Sequence, residues 1–318
     1  MYKETDALIW SGRTDSTIRL ESFRYHQVMN CLPVYQLQQI SGKKLSIIGF
    51  ECDEGVRRNK GRVGARKAPN EIRKQLASNA WRGPQEIGLY DVGNISCEGK
   101  LLEDAQAELG SYVKEILNAN SKCIVIGGGH ETLYGHYLGV RESVGKESRI
   151  GLINIDAHFD LREYDEQISS GTMFKQILDE DQNVEYFVCG IQRYGNTTEL
   201  FNRADELGVT YLYEDEMSFE STIETVDTFI KRCDVILLTL CADVLSAAHA
   251  PGVSATSPFG LEPKIVRNII RYVCENPKVT SFNICEVNPE VDENNRTVKL
   301  GAYLINEAVI ALQKGENK

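Results

Sequence analysis

The sequence contains no apolar run of the roughly 18 residues that a membrane-spanning helix requires. Its first residues also lack the basic start and the apolar stretch that are typical of a secretory signal. Basic residues are scarce relative to acidic ones, with 35 Lys and Arg against 46 Asp and Glu, so the net charge is -11. Because nucleic-acid binding depends on clustered Lys and Arg, the sequence predicts a cytoplasmic protein without a membrane or nucleic-acid partner.

Repeats, low-complexity tracts and linkers rich in Pro, Gly or Ser are absent, so nothing in the sequence indicates a domain boundary. The nine cysteines are scattered, odd in number and include no CxxC pair. This pattern is typical of reduced thiols rather than of a disulfide framework. We therefore predict a single domain over residues 1–318, in which residues 1–40 form an irregular N-terminal extension.

Eight short runs of aliphatic and β-branched residues predict β-strands, at residues 44–50, 87–91, 123–127, 150–156, 186–190, 209–213, 235–240 and 280–286. Most are unbroken apolar runs, which are typical of a parallel sheet covered on both faces. Helix-like stretches lie between them, at residues 70–79, 101–118, 222–231 and 263–276. This alternation predicts an α/β fold with a mainly parallel sheet between two layers of helices.

Polar residues follow three of the predicted strands: Gly127-Gly128-Gly129-His130, Asp156-Ala157-His158-Phe159-Asp160 and Cys241-Ala242-Asp243. In open parallel sheets, ligands bind outside the carboxyl ends of the strands, where successive loops converge. The glycine triplet alone fits a tight turn as well as a binding loop. It is not a Walker loop, and His136 lies beyond the position that HExxH requires.

The DxHxD pattern at residues 156–160 is the more specific signal, because alternate residues of an extended backbone point to the same side. Two carboxylates and an imidazole suit Mn, Fe or Zn, and a carboxylate can bridge two ions. The alternative is a polar surface loop. The remaining polar candidates are predicted to be structural or exposed: Glu131, His136, His26 and His249.

In order and spacing, these three motifs resemble the metal-binding motifs of the arginase-like (ureohydrolase) superfamily. The resemblance extends over nearly the whole chain and implies a three-layer α/β/α fold around a central eight-stranded sheet. It also implies a binuclear Mn²⁺ site. One ion would be held by His130 and Asp160 and the other by His158 and Asp243, with Asp156 bridging them.

Other segments resemble formimidoylglutamases within this superfamily. They are Asp53-Glu54-Gly55-Val56-Arg57-Arg58-Asn59-Lys60-Gly61-Arg62-Val63-Gly64-Ala65, Asp160-Leu161-Arg162, Ser169-Ser170-Gly171-Thr172, Ala250-Pro251-Gly252-Val253-Ser254-Ala255 and Glu286-Val287-Asn288-Pro289. Arginases carry a His-Gly pair where this chain has Ser169-Ser170-Gly171-Thr172. The resemblance therefore implies hydrolysis of N-formimino-L-glutamate to L-glutamate and formamide, a reaction of histidine degradation, by a hydroxide that bridges two Mn²⁺ ions.

Cys241 departs from the superfamily pattern, because it stands where the second bridging carboxylate is expected. A thiolate is softer than a carboxylate and matches Mn²⁺ less well than Zn²⁺ or Fe²⁺. Three interpretations compete. Cys241 is a working ligand that makes metal occupancy sensitive to pH and oxidation, it is a non-ligand that leaves the second site weak, or the protein is a metal-poor relative.

The resemblance also implies roles around the metals. Asp160 would carry a proton to the leaving nitrogen, Glu286 would accept hydrogen bonds from the cationic formimino group, and Arg162 would bind a substrate carboxylate. Hydrogen bonds would come from Ser170, Gly171, Thr172 and Asn196. Arg57, Arg58 and Arg62 could also bind carboxylates, although an exposed basic cluster is more often simply solvated.

Two other functions remain open at this stage. One is another amidine or guanidine hydrolase, such as an agmatinase or a guanidino-acid hydrolase. Such an enzyme would share the ions but not the carboxylate clamp, that is, the arginine that binds a substrate carboxylate. The other is a metal-poor relative that has lost catalysis. In each enzyme hypothesis the partner is a small-molecule substrate, and the sequence leaves open whether the chain forms a homo-oligomer.

Overall fold

The computed structural model describes residues 1–84, 86–97, 101–164 and 167–315. Its strands are β1 (Tyr2–Lys3), β2 (Met29–Cys31), β3 (Lys43–Glu51), β4 (Ile87–Ser96), β5 (Ser121–Ile126), β6 (Ile150–Ile155), β7 (Val184–Ile191), β8 (Thr210–Tyr213), β9 (Val235–Cys241) and β10 (Val279–Cys285). Its α-helices are α1 (Tyr25–Val28), α2 (Glu54–Arg58), α3 (Ala68–Ala77), α4 (Leu102–Asn118), α5 (Thr132–Val144), α6 (Met173–Glu180), α7 (Thr198–Glu206), α8 (Phe219–Lys231), α9 (Pro263–Cys274) and α10 (Arg296–Gly315). None of these helices combines the length and apolar character needed to cross a membrane.

The strands form one twisted sheet in the order β1-β4-β3-β5-β10-β9-β6-β7-β8, with β2 paired to β4. Within the described ranges, β1 runs antiparallel to β4 and the other pairings are parallel. All eight predicted strands are present, and the prediction of a mainly parallel sheet is confirmed. The predicted strand count was wrong by two, because β1 and β2 lie in the N-terminal segment that we expected to be irregular.

The two faces of the sheet carry separate apolar cores. In β6, Ile153 and Ile155 belong to one buried cluster, while Ile150 and Leu152 belong to the other. Alternate residues of a strand point to opposite faces, so an unbroken apolar strand serves both cores. Helices α3, α8, α9 and α10 cover the first face, and α4, α5, α6 and α7 cover the second. The molecule therefore has three layers, α/β/α.

The N-terminal segment is attached through a buried ion pair. Arg73 of α3 and Asp91 of β4 are completely buried, and their two hydrogen bonds measure 2.8 and 2.9 Å. Asp91 also accepts hydrogen bonds from Trp10 Nε1 at 2.7 Å and from Thr5 Oγ1 at 2.8 Å. Because a buried charge is costly unless it is fully paired, these bonds fix the first ten residues against the sheet edge.

Candidate metal centre

The polar strand-end motifs meet at the carboxyl edge of the sheet. His130 follows β5, Asp156, His158 and Asp160 follow β6, and Cys241 and Asp243 lie at the end of β9. Strand β10 lies between β5 and β9 and adds Glu286, which comes directly after it. The sheet order therefore brings residues that are far apart in sequence into one cluster.

Two groups of ligand atoms share Asp156. Among the described residues, His130, Asp156 and Cys241 offer ligand atoms that lie within 4.8 Å of one another, and so do Asp156, His158 and Asp243. Asp160 joins the first group, because its Oδ2 lies 2.9 Å from His130 Nδ1. The structure thus brings all six predicted metal ligands together, with Asp156 in the central position expected of a bridge. Their assignment as ligands stays a prediction.

The backbone around these side chains is tightly constrained. Asp160 has a φ angle of 52° and Glu286 one of 65°, in the left-handed region that residues other than glycine rarely adopt. Such conformations cost of order 1–3 kcal/mol each and persist only where the surroundings impose them. At Gly128, a Cβ would lie 1.8 Å from the carbonyl oxygen of Cys52. The absence of a side chain at Gly128 therefore lets the backbone before His130 pack closely against the backbone of Cys52.

Polar residues inside the strands orient the predicted ligands. Thr239 Oγ1 lies 3.0 Å from His130 Nε2, and Asn154 Nδ2 donates to Asp156 Oδ2 at 3.1 Å. Neither residue belongs to the sequence motifs. A signal was present, because each is a polar residue in an apolar strand, two positions before a ligand, and therefore on the same face as that ligand. These contacts fix the ring and the carboxylate that face the cluster.

Burial and the neighbouring carboxylates control protonation in this cluster. Burial lowers the pKa of His130, but hydrogen bonds to Asp156 and Asp160 outweigh it and raise this pKa to about 10. Burial and the charge of Asp156 raise the pKa of Asp160 to about 6. Burial, and then Asp156 and Asp243, raise the pKa of the Cys241 thiol well above its usual range. Without a cation the thiol is therefore protonated, and metal binding by Cys241 must displace a proton.

A cavity of about 130 Å³ opens onto this cluster. Of the predicted substrate-binding residues, Arg162, Ser170, Asn196 and Glu286 line it. Asn59 and Ser254 line it as well. They lie in segments that carry the family resemblance, but neither was predicted to contact the substrate.

Gly171 and Thr172 lie behind the lining. A Cβ on Gly171 would lie 3.0 Å from Arg162 Cδ, so this glycine makes room for the arginine stem. The Thr172 hydroxyl accepts from the Ser169 amide and donates to the Ser169 carbonyl oxygen, and it also lies 3.3 Å from Gln176 Oε1. These internal contacts use the single hydrogen of the Thr172 hydroxyl, and its predicted contact with the substrate stays a prediction.

Asn196 braces the loop that carries the predicted ligands. Its Nδ2 donates to the carbonyl oxygens of Ala157 and Gln192, both at 2.9 Å, and its Oδ1 accepts from the Phe159 amide at 3.1 Å. These bonds use both amide hydrogens, so the side chain shapes the 156–160 loop although it also borders the cavity. The substrate contact expected of Asn196 from the sequence stays a prediction.

The neighbouring arginines are engaged elsewhere. Arg57 pairs with Glu54, and Arg58 pairs with Glu54 and Glu103. Arg62 donates to the carbonyl oxygens of Ser254 at 2.9 Å and Val253 at 2.6 Å, which fastens two loops together.

Comparison with known proteins then identifies the family. A model of the arginase family matches residues 43–311. The chain belongs to the arginase family. This arginase-family chain is 54% identical to the formimidoylglutamase of Lysinibacillus sphaericus (strain C3-41), a similarity that covers 99% of both chains. It is 53% identical to the formimidoylglutamase of Geobacillus sp. (strain WCH70), over 98% of this chain and 96% of that protein.

Solved structures support the arginase-like fold. The formimidoylglutamase of Bacillus subtilis subsp. subtilis str. 168 has a TM-score of 0.81 at 20% identity, covering 95% of this chain and 96% of that one. Trypanosoma cruzi formiminoglutamase with Mn2+2 has a TM-score of 0.78 at 24% identity, covering 89% and 98% respectively.

The donor set of this arginase-family site fits a pair of divalent transition-metal ions. It comprises two imidazoles, three carboxylates and one thiol, a mixture in which the oxygen and nitrogen donors suit Mn²⁺ and the sulfur is the exception. Asp243 Oδ1 is buried and has no hydrogen-bond partner among the described residues. An unsatisfied buried carboxylate oxygen is costly, and a bound cation would satisfy it.

Proposed function

We propose that this chain hydrolyses N-formimino-L-glutamate to L-glutamate and formamide with two Mn²⁺ ions. The observation that carries the proposal is the position of Arg162, which lines the same cavity as the six-residue cluster. Within the described ranges its guanidinium has no ion-pair or hydrogen-bond partner, whereas Arg57, Arg58 and Arg62 are all engaged. The names of the two relatives that are more than half identical agree with this substrate.

His130 and Asp160 would hold one ion, His158 and Asp243 the other, and Asp156 and Cys241 would bridge them. When bound, two Mn²⁺ ions would lower the pKa of water towards neutrality and so supply a nucleophile. Thr239 and Asn154 keep the His130 ring and the Asp156 carboxylate in place.

Proton transfer falls to Asp160. The glutamate nitrogen must be protonated as it leaves, since an amide anion is a very poor leaving group. Asp160 borders the cavity, and its Oδ2 is held by His130 Nδ1. A carboxylate held beside the reacting atoms can transfer this proton.

Substrate binding would use two charged residues of the cavity lining. Arg162 would pair with a carboxylate of formiminoglutamate, for which a guanidinium fork is well matched. Glu286 would accept hydrogen bonds from the cationic formimino nitrogen. Its Oε1 already accepts from the His130 amide at 2.9 Å, which fixes the carboxylate beside the metal ligands.

The decisive experiment compares four substrates. Purified, reduced protein with Mn²⁺ is assayed with formiminoglutamate, agmatine, arginine and guanidinobutyrate, and formamide, urea and amine products are quantified. We expect formiminoglutamate to have the highest kcat/KM. A preference for agmatine would instead establish an amidine hydrolase without the carboxylate clamp. Absence of turnover together with fewer than two bound ions would indicate a metal-poor relative.

A further inference from the structure

The short helix α2 ends in a turn that fixes the direction of Asn59. Lys60 adopts a left-handed conformation with a φ angle of 62°. The Lys60 amide donates to the Arg57 carbonyl oxygen at 3.1 Å, and the Gly61 amide donates to the Val56 carbonyl oxygen at 2.8 Å. This pair of bonds is a Schellman motif, which closes the helix end in a single geometry. Asn59, the residue before the turn, is thereby held at the cavity lining.

From this position Asn59 reaches the loop that carries Ser170. Its Nδ2 donates to Ser170 Oγ at 3.3 Å. The preceding residue reinforces the contact, because Arg58 Nη1 donates to the Ile168 carbonyl oxygen at 3.2 Å. The charge of Arg58 is balanced by Glu54 and Glu103, so Arg58 stabilises the loop but is not available to bind a substrate carboxylate.

Asn59 and Arg162 approach the same point of that loop. A Cβ on Gly171 would lie 3.3 Å from Asn59 Nδ2 and 3.3 Å from Arg162 Nε. A larger residue at position 171 would crowd both side chains. The amide, the Ser170 hydroxyl and the guanidinium therefore form one cluster of donors beside the cavity.

We propose that Asn59 is a specificity-determining residue, which holds the Ser170 hydroxyl as a hydrogen-bond donor to a carboxylate of the substrate. A serine hydroxyl has one hydrogen and two acceptor lone pairs. Because Ser170 accepts from Asn59, its own hydrogen is free for a carboxylate, which only accepts. Arg162 would bind the same carboxylate. The inference rests on the proposed function and identifies the substrate end that the donors select.

The test uses variants of the whole, reduced, Mn²⁺-loaded protein. Asn59→Ala removes the donor, and Asn59→Asp replaces it with an acceptor and a negative charge at nearly constant size. Asn294→Asp is the matched control, because Asn294 is also exposed and lies on the loop after β10, outside the cavity lining. KM and kcat for formiminoglutamate, metal content and the affinity for L-glutamate by calorimetry are measured for each.

We expect Asn59→Asp to raise KM about tenfold or more, since hydrogen bonds to charged groups contribute about 1.5–3 kcal/mol. Metal content and kcat should change little. Asn59→Ala should have a smaller effect, and this effect should nearly vanish in a Ser170→Ala background, because the donor acts through Ser170. The control Asn294→Asp should leave KM unchanged.

The outcomes separate the inference from the proposed function. If the wild-type protein hydrolyses formiminoglutamate and both Asn59 variants keep its KM and the L-glutamate affinity, the inference is overturned while the function stands. If the effects of Asn59→Ala and Ser170→Ala on KM were fully additive, Asn59 would not act through Ser170. If the wild type fails to turn over formiminoglutamate, the proposed function fails. The glutamate affinities then still decide whether Asn59 serves carboxylate binding.

Discussion

The ligand atoms of Cys241, Asp156 and His130 lie within 4.8 Å of one another, and Cys241 stands where the family resemblance predicts a second bridging carboxylate. Replacing the thiol by Cys241→Asp should retain or improve Mn²⁺ binding, because carboxylate oxygen suits this ion better than sulfur does. The measurement is the number of ions per chain after dialysis against limiting Mn²⁺. A lower affinity in the variant would show that the thiolate is the preferred ligand.

Oxidation should empty at least one metal site of the wild-type protein. A thiol converted to a sulfenic acid or a disulfide no longer serves as a thiolate ligand. Metal analysis before and after mild peroxide treatment, with recovery by a thiol reductant, tests this. Cys241→Asp is the control, since it keeps the other eight cysteines and should hold its metal under the same treatment.

Arg162→Ala should raise KM for formiminoglutamate far more than it disturbs metal content, because the guanidinium borders the cavity but belongs to neither ligand group. Loss of a charge-assisted contact corresponds to about a tenfold change or more. Arg57→Ala is a suitable control, since Arg57 is an exposed arginine paired with Glu54. An unchanged KM in Arg162→Ala would move the clamp to another residue.

Thr239→Val should weaken metal binding about 10- to 100-fold, as is typical when a residue that orients a metal ligand is lost. The substitution keeps the shape of the side chain but removes the hydroxyl that lies 3.0 Å from His130 Nε2. Thr222→Val is the matched control, because Thr222 is equally buried but lies in α8 and bonds to the Ser218 carbonyl oxygen. Equal metal affinities in the two variants would show that Thr239 does not contribute to metal binding.

His136 should make the metal-free protein sensitive to acid. It is fully buried against Ser281, and burial lowers its pKa from 6.5 to about 3. Since the unfolded chain takes up this proton first, stability is complete above about pH 6.5 and falls as the pH drops towards 3. In urea unfolding at about pH 7.5 and 5.5, the wild type should lose about 1 kcal/mol more than His136→Gln. His249→Gln, at an exposed histidine, should behave like the wild type.

Much of the fold could be predicted, because long apolar runs such as β6 and β9 carry their own signal. The missed strands, β1 and β2, have two and three residues and partly exposed side chains. They exist because β4 offers them a pairing edge. Such pairing is a tertiary effect that no local periodicity can reveal.

The site, like the fold, was predictable only in part from the sequence. Motif spacing located His130, Asp156 and Asp243, since these residues end strands of one parallel sheet. It could not show that Arg62 is bound to the 253–254 backbone, or that the Thr172 hydroxyl donates to the Ser169 carbonyl oxygen. Those outcomes depend on how separate loops meet, and a single sequence contains no signal for these contacts.

The hydrogen bond from the His130 amide to Glu286 Oε1 has a thermodynamic consequence. It joins a predicted metal ligand to a predicted substrate contact, so binding that orders one of these residues should also order the other. By linkage, a ligand that favours the metal-loaded arrangement must itself be bound more tightly once the ions are present. Apparent Mn²⁺ affinities measured without substrate or product would then understate the affinity during turnover.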